Sequence, residues 1–204
     1  MKKYCATEKN QIETIIIPLL MTLVMIISCF RVVNAADAGS FSLVEYVSTH
    51  EVNSQEGFYE ILELYCNQCY EPEIIENEIG FHIGVDYENM IVYTTVVEEL
   101  AQTRGTKSGK ATSKYYSDAG NVIFTITVEG TFSYSSSEVR TTSASGSFSK
   151  PFLSAWTSTP TISSGNYYST LAYARISGTA TSIFGSMTYI LTLKCDNTGA
   201  LSAG

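Results

Sequence analysis

Two long runs in the second half of the chain alternate between apolar and polar residues. In the first run the apolar positions are Val122, Phe124, Ile126, Val128, Phe132 and Tyr134. In the second run they are Met187, Tyr189, Leu191, Leu193 and Cys195. A period of two residues is typical of a β-strand with one buried face. Gly130 falls in line with the apolar positions of the first run and indicates a bend or bulge there.

Turn sequences divide the rest of this half into further strands. Asp118-Ala119-Gly120-Asn121 predicts a hairpin turn after a strand near 106–117. Ser163-Ser164-Gly165-Asn166 predicts a break between strands near 153–162 and 167–178. The Ser-rich stretch 135–149 is interpreted as a polar strand or loop of the same domain. Short strands separated by turns predict a mainly-β fold, an antiparallel β-sandwich of generally immunoglobulin-like architecture over 105–204.

The region before this sandwich, 36–104, has a different pattern. Its apolar residues Phe58, Ile61, Leu62 and Tyr65 follow at i, i+3, i+4 and i+7, which predicts an amphipathic helix over about 54–66. Two β-rich runs, Gly80–Val85 and Met90–Val97, predict a hairpin over about 79–98. Residues 36–50 give little periodic signal, so no element is predicted there. We expect a small helix-plus-hairpin region followed by a sandwich that folds without it; the alternative is that the hairpin over 79–98 completes the sandwich.

The start of the chain has the pattern of a secretory signal. From Thr14 to Phe30 no charged residue occurs over 17 positions, and Lys2 and Lys3 precede this apolar run. Small or tolerated residues at Val33-Asn34-Ala35 predict cleavage between Ala35 and Ala36 and a signal peptide over 1–35. The run is shorter than the roughly 20 residues of a membrane-spanning helix.

A second processing site overlaps the end of the apolar run. Ile26-Ile27-Ser28-Cys29 is similar to a bacterial lipobox, in which Cys29 would become a lipidated N-terminus. We therefore expect a secreted or cell-surface protein. Contact with the membrane is expected only if Cys29 is lipidated or the signal is retained.

Charge divides the mature chain sharply near Arg104. Residues 36–102 contain 14 Asp or Glu and no Lys or Arg, a net charge of −14. Residues 103–204 contain 8 Lys or Arg and 4 Asp or Glu, a net charge of +4. The basic residues are scattered, so no nucleic-acid partner is predicted. We expect the acidic region to dock on the basic one, assisted by the apolar face of the helix.

The cysteines indicate structural roles. Cys66-Asn67-Gln68-Cys69 lies at the C-terminal end of the predicted helix, whereas a redox pair needs a helix N-terminus to lower the thiol pKa. A structural zinc site needs four ligands, and no second Cys pair supplies them. A disulfide between Cys66 and Cys69 is the interpretation for an exported protein. Cys195 lies among the apolar positions of the last strand and is predicted to be a buried free thiol.

Catalytic and metal-binding patterns are weak in this sequence. The chain has two histidines, His50 and His82, and no Gly-x-Ser-x-Gly motif. Asp86, Glu88 and Asn89 do not follow the calcium-binding loop pattern. We therefore predict a non-catalytic protein with no cofactor and no metal. The candidate ligand-binding residues are Trp156, Tyr167 and Tyr168, whose rings would stack on sugars; the alternative for Trp156 is a position in the core.

Three stretches occur in order in the second half: GTKSGKATSKYYSDAGNVIFTITVEGTFSYSSS, Trp156, and the terminal TYILTLKCDNTGALS. Together they resemble a family of small exported proteins from Gram-positive bacteria, over about 85–202. The resemblance implies an export signal and a β-sandwich, and it supplies no activity. Members of this family often carry a second cysteine after the central strand that would pair with the terminal one. The corresponding stretch, 135–149, contains none.

These patterns lead to one main functional hypothesis. We expect an exported, non-catalytic β-sandwich that serves as a cell-surface or extracellular binding or structural module, with an unknown protein or a cell-wall component as partner. The alternative is a secreted effector or bacteriocin-like protein in which the acidic region is a masking pro-segment, removed by cleavage near Arg104. A hydrolase is a third, less favoured possibility.

Overall fold

The computed structural model describes residues 41–66, 75 and 77–204, which contain two helices and nine strands. Residues 41–204 group into one compact unit. The helices are α1 (Leu43–Thr49) and α2 (Gln55–Cys66). The strands are β1 (Glu78–Asp86), β2 (Ile91–Thr103), β3 (Thr106–Ser117), β4 (Val122–Tyr134), β5 (Val139–Ser149), β6 (Thr161–Tyr168), β7 (Leu171–Ser182), β8 (Gly185–Asp196) and β9 (Leu201–Ala203).

The strands form two antiparallel sheets. The first sheet has the order β1-β2-β3-β4-β5 and the second has the order β6-β7-β8-β9, so neighbours in each sheet are also neighbours in sequence. The sheets pack face to face, with β3, β4 and β5 against β7 and β8. The mainly-β antiparallel sandwich predicted from the sequence is therefore confirmed.

The core between the sheets comes from alternate positions of the facing strands. Phe124, Ile126 and Val128 of β4 are fully buried, and they face a layer that includes Ile176 of β7 and Leu193 of β8. Burying each side chain of this size stabilises the fold by roughly 1.5–3 kcal/mol. The alternation that predicted β4 and β8 is thus the alternation that builds this core.

A second core lies on the other face of the first sheet, under the two helices. Phe58 and Leu62 of α2 pack with Leu43 of α1 against Val92 and Tyr116 of the sheet. The N-terminus of α1 is fixed by Ser42, whose hydroxyl accepts a hydrogen bond from the Glu45 N–H. The molecule therefore has three layers, helices, first sheet and second sheet, and residues 91–97 of β2 are largely covered on both faces.

The predicted helix matches α2 to within one residue. Phe58, Ile61 and Leu62 are buried as predicted, whereas Tyr65 is 50% exposed. The predicted hairpin matches β1 and β2, which extend further, from Glu78 to Thr103. The short helix α1 lies within 36–50, where no element was predicted.

The predicted break at Ser163-Ser164-Gly165-Asn166 is wrong. These residues lie inside β6, which pairs with β7 from Thr161 to Tyr168. The residues before it, 153–160, were predicted as a strand and lie outside the regular strands. Gly165 faces the ring of Tyr173, since a Cβ added there would lie 3.2 Å from the Tyr173 hydroxyl oxygen. The glycine therefore accommodates a neighbouring ring in an exposed edge strand and marks no turn.

The acidic and basic regions meet in one sheet. β2 and β3 pair along their length, from Ile91 opposite Ser117 to Thr103 opposite Thr106, with Arg104 in the turn that joins them. Two ion pairs cross this strand pair, Lys107 to Glu99 at 2.7 Å and Lys110 to Glu98 at 2.9 Å. The two regions are therefore in contact, but as neighbouring strands of one sheet rather than as the separately folded parts that were expected to dock. The proposed domain border at 104/105 falls within a hairpin.

Candidate functional site

The two sheets differ in width, and the difference leaves a cleft between them. The first sheet has five strands, while β9 at the edge of the second has three residues and pairs with β8 at 193–195. Beyond β9, a cleft of about 540 Å³ separates the inner faces of β1 and β2 from the edge of β8. Side chains of the first sheet that line it are His82, Asp86, Tyr93, Thr95, Ser113 and Tyr115.

The strand register explains why these side chains share one face. His82 lies opposite Thr95, and Thr95 lies opposite Ser113, so the three form a row across β1, β2 and β3. A second row contains Tyr93 and Tyr115. Residues that are directly opposite in an antiparallel pair project from the same face of a sheet. The polar row and the aromatic row therefore both face the second sheet.

The aromatic row continues from the cleft into the core. The rings of Tyr93 and Tyr115 are stacked with centroids 5.5 Å apart, and those of Tyr115 and Phe124 are stacked at 4.3 Å. At the edge, the Tyr93 ring lies over Gly84 of β1, where an added Cβ would be 2.2 Å from a ring atom. Gly84 is thus required for the ring to lie across β1 and form a wall of the cleft.

Tyr115 is the buried end of this wall. It is 5% exposed, and burial raises the pKa of its hydroxyl well above its ordinary value. Repulsion from Tyr93 and Tyr189 in their ionised forms, and from the Asp86 carboxylate, raises this pKa further. The Tyr115 hydroxyl therefore keeps its proton at physiological pH.

The other polar side chains of the cleft differ in how accessible they are to a ligand. Thr95 Oγ1 and Ser113 Oγ share a buried hydrogen bond of 2.6 Å. The Asp86 carboxylate accepts hydrogen bonds from the Glu88 and Asn89 N–H groups at 3.0 and 3.1 Å and so holds the β1–β2 turn. His82, by contrast, is exposed. The imidazole is therefore the cleft group best placed to meet a ligand.

The opposite side of the cleft is the edge of β8. Thr192 and Gly204 exchange two N–H···O bonds of 3.0 Å, so the backbone groups of Thr192 point away from β7. Because this direction alternates along an antiparallel strand, the N–H and C=O groups of Ile190 and Thr188 point the same way. β7 pairs with the other edge of β8 here, and no described strand pairs with this outer edge before Leu193. The edge therefore presents spaced donors and acceptors beside the aromatic wall.

The two histidines lie on different layers of the molecule. His82 faces the cleft, two strands away from Ser113, and the Ser113 hydroxyl bonds to Thr95. His50 follows α1, and its Nδ1 lies 2.9 Å from Thr49 Oγ1. No serine–histidine couple forms at this cleft. Within residues 41–66, 75 and 77–204, no three His, Cys, Asp or Glu side chains are grouped to hold a metal ion.

The three predicted stacking residues do not form one site. Trp156 is 8% exposed and packs in the core beside Phe124, with centroids 5.7 Å apart. Tyr167 and Tyr168 lie at the far end of β6, where they are 40% and 71% exposed. Tyr167 packs against Tyr173 at 4.6 Å and under the Arg175 guanidinium. Trp156 therefore takes the core position that was the alternative to stacking.

The cleft residues themselves were missed by the sequence analysis. Thr95 and Ser113 are the available signal, because they are polar at positions that share a face with the core residues Val97 and Ala111. Tyr93 and Tyr115 carry no such signal, because tyrosine is common in strands. The two rings are neighbours because of the strand-pairing register, which the sequence alone does not reveal.

Cys195 is fully buried and has a free thiol, as predicted. Burial, followed by the charge of Asp196, raises the pKa of this thiol to about 11, while Lys107 lowers it in part. Cys66 ends α2. Cys69, Cys29 and the predicted cleavage site Ala35–Ala36 lie outside the described residues.

No helix in the described part of the chain is long and apolar enough to cross a bilayer. No protein-family model, curated protein or solved structure matches this chain significantly, so its function must be argued from the cleft.

Proposed function

We propose that this protein is an exported, non-catalytic binding module that holds a glycan of the cell surface in the cleft between its sheets. The observation that supports this most directly is the pairing of an aromatic wall with an accessible imidazole and an unpaired strand edge in one concavity of about 540 Å³. Pockets that bind small ligands commonly enclose about 300–1,000 Å³ and combine apolar walls with a few polar groups.

The chemistry of a sugar suits these groups. The C–H face of a pyranose packs on an aromatic ring, as Tyr93 at the mouth of the cleft allows. Its hydroxyls both donate and accept hydrogen bonds, and His82 and the backbone of Ile190 offer both kinds of partner. The ligand is thus bound through stacking and hydrogen bonds, with no bond made or broken.

The acidic region forms part of the sandwich itself, and this favours a binding module over an effector that is masked by a pro-segment. Removing residues up to Arg104 would take away α1, α2, β1 and β2, which carry half of the cleft and the whole helical layer. A pro-segment that masks a finished fold would leave that fold complete. The predicted signal peptide over 1–35 supports an extracellular or cell-surface site of action.

The edge of β8 favours a second candidate, an extended peptide that adds to the sheet. Strand addition uses the unpaired N–H and C=O groups of an edge for affinity and neighbouring pockets for specificity. The stretch Ser186–Leu191 has such an edge beside the cleft. This partner would be a protein of the cell surface.

Binding of residues 36–204 to purified wall glycan and to soluble wall oligosaccharides tests the proposal. We expect His82→Ala to weaken binding roughly five- to 150-fold, the effect of losing a ligand hydrogen bond of about 1–3 kcal/mol. His50→Ala is the matched control and should bind normally, because His50 lies after α1 on the helical side of the first sheet.

The same measurement separates the two candidates. Ile190→Pro removes one outward N–H of β8 and leaves the pairing with β7 intact. Strand addition would be identified instead if the native protein binds an extended peptide and no glycan, and if Ile190→Pro no longer binds the peptide. Glycan binding that is equal in the His82 and His50 variants would contradict a role for the cleft.

A further inference from the structure

Two loops at one end of the sandwich carry exposed apolar side chains. They are the loop between β5 and β6, with Phe152 and Leu153, and the turn between β7 and β8, with Ile183 and Phe184. These four side chains are 98%, 82%, 87% and 81% exposed, more than any other large hydrophobic residue in the described part of the chain. Leaving four such side chains in water is unfavourable, and exposed apolar patches commonly mark interaction surfaces.

The two loops flank one apolar groove. Leu153 and Phe184 both line it, it encloses about 500 Å³, and Trp156 lies in its wall. Met90 of the β1–β2 turn also lines it and is 46% exposed. Residues 150–160 and 182–186 contain no Asp or Glu, and their one charged residue is Lys150. Both loops are therefore free of negative charge, whereas the neighbouring β1–β2 and β3–β4 turns at this end carry Glu88 and Asp118.

The chain enters the described unit at this same end. The Ser42 hydroxyl donates to Asp118 Oδ1 at 2.7 Å, and Leu43 N–H donates to the Asp118 carbonyl at 3.0 Å. Asp118 lies in the β3–β4 turn, whose Asn121 lines the apolar groove. Ten residues, 31–40, separate the apolar run 14–30 from Phe41. Ten residues span at most about 35 Å, so a membrane that holds this run lies no further than that from Phe41.

We propose that this end of the sandwich is a membrane-contacting surface whose two loop tips insert into the lipid bilayer. Isolated tips that protrude from separate loops suit a fluid partner, because acyl chains enclose each tip without a matching rigid surface. Either the run 14–30 before its removal, or a lipid on Cys29 after it, would tether the chain to the bilayer upstream of Phe41. The inference rests on the loops and is independent of the ligand proposed for the cleft.

Vesicles of phosphatidylcholine mixed equally with phosphatidylglycerol provide the test, with residues 36–204 as the protein. We expect the protein to sediment with the vesicles and to remain bound in high salt, because apolar insertion is not screened. Trp156 is the single tryptophan of the chain, and it lies in the groove between the loops. Brominated acyl chains should therefore quench its fluorescence.

Substituting the apolar side chains at the two loop tips tests whether these tips contact the membrane. Phe152→Ser combined with Phe184→Ser should lower vesicle partitioning at least roughly tenfold, since each ring loses its burial in the lipid. Tyr168→Ser is the matched control, because this ring is 71% exposed at the opposite end of β6. Both variants should melt at the temperature of the native protein, since the altered side chains are exposed.

Three results would overturn the proposal. The first is native protein that stays in solution with vesicles of either lipid alone and of their mixture. The second is vesicle binding that high salt abolishes and the double variant retains, which would indicate surface charge. The third is concentration-dependent self-association that the double variant removes while vesicles have no effect, which would make this end an interface between copies of the chain.

Discussion

Residues 41–104 and residues 105–204 use the same five-stranded sheet in different ways. The acidic region supplies β1 and β2 and covers the outer face of the sheet with α1 and α2. Residues 105–204 supply β3, β4 and β5 and cover the inner face with the second sheet. Each region therefore contributes one outer layer and part of the shared central layer. The sharp change in charge and composition near Arg104 therefore falls inside the shared sheet, between β2 and β3 of one folding unit.

The largest expected effect comes from separating the two regions. A fragment of residues 105–204 lacks two strands of the first sheet and exposes the outer face around Tyr116. We therefore expect it to lose cooperative folding, in contrast to the independent folding that its turn and strand patterns predict. Thermal unfolding followed by circular dichroism measures this. A cooperative melt of the fragment at the temperature of residues 36–204 would show that the shared sheet is dispensable.

The next effect concerns the helical layer. Leu62→Ala removes a fully buried side chain of α2 and should lower the free energy of unfolding by about 2–5 kcal/mol. Leu64→Ala, on the same helix, is the control; its side chain is 75% exposed, and a change within about 0.5 kcal/mol is expected. Urea unfolding of both variants gives the values. Equal effects would mean that α2 does not pack on the sheet as described.

High pH should weaken the inter-sheet layer. The pKa of Cys195 rises from an ordinary 9.0 to about 11 on folding, so the folded state holds this proton more tightly than the unfolded state. The resulting stability is complete below pH 9 and is lost as the pH rises towards 11. Cys195→Ala should therefore show a smaller fall in melting temperature between pH 8 and pH 11 than the native protein. A larger fall in the variant would contradict the buried neutral thiol.

The smallest effect concerns the ion pairs between the regions. Lys110→Gln breaks the pair with Glu98 and should cost roughly 0–1 kcal/mol, mainly at low salt. Arg140→Gln is the control, because its pair with Glu138 lies within one region and both side chains are exposed. Melting temperatures at low and high salt compare the two. A large effect that salt does not change would indicate a role in packing rather than in charge.

The sequence predicted elements best where a strand has one covered face. In β4 and β8, apolar and polar residues alternate because one face of each strand is buried and the other meets solvent along much of its length. The apolar residues of α2 recur with the helical period for the same reason. β1 and β2 were predicted as a hairpin, but their place in the sandwich was only an alternative, because β2 is covered on both faces and gives no alternating pattern. β6 was misread because it is an exposed edge strand, whose Ser, Gly and Asn residues resemble a turn.

An extra residue near the start of β4 limits what the alternation of apolar and polar residues can predict. Val122 and Phe124 have the same parity, yet Val122 packs under the helices and Phe124 packs between the sheets. The register shifts between Tyr115 and Tyr116, so one extra residue turns Val122 to the other face. The cleft was hidden for a related reason: it depends on which residues lie opposite each other across three strands.

The β2–β3 hairpin determines how a cut chain would behave. The turn at Arg104 is exposed, while the strands on either side of it pair along their whole length and share buried cores. A protease that nicks the chain there would leave two fragments still bound as a non-covalent complex. Two bands on a denaturing gel would accompany one peak in gel filtration. A nick at this turn is therefore no sign that the acidic fragment has been released.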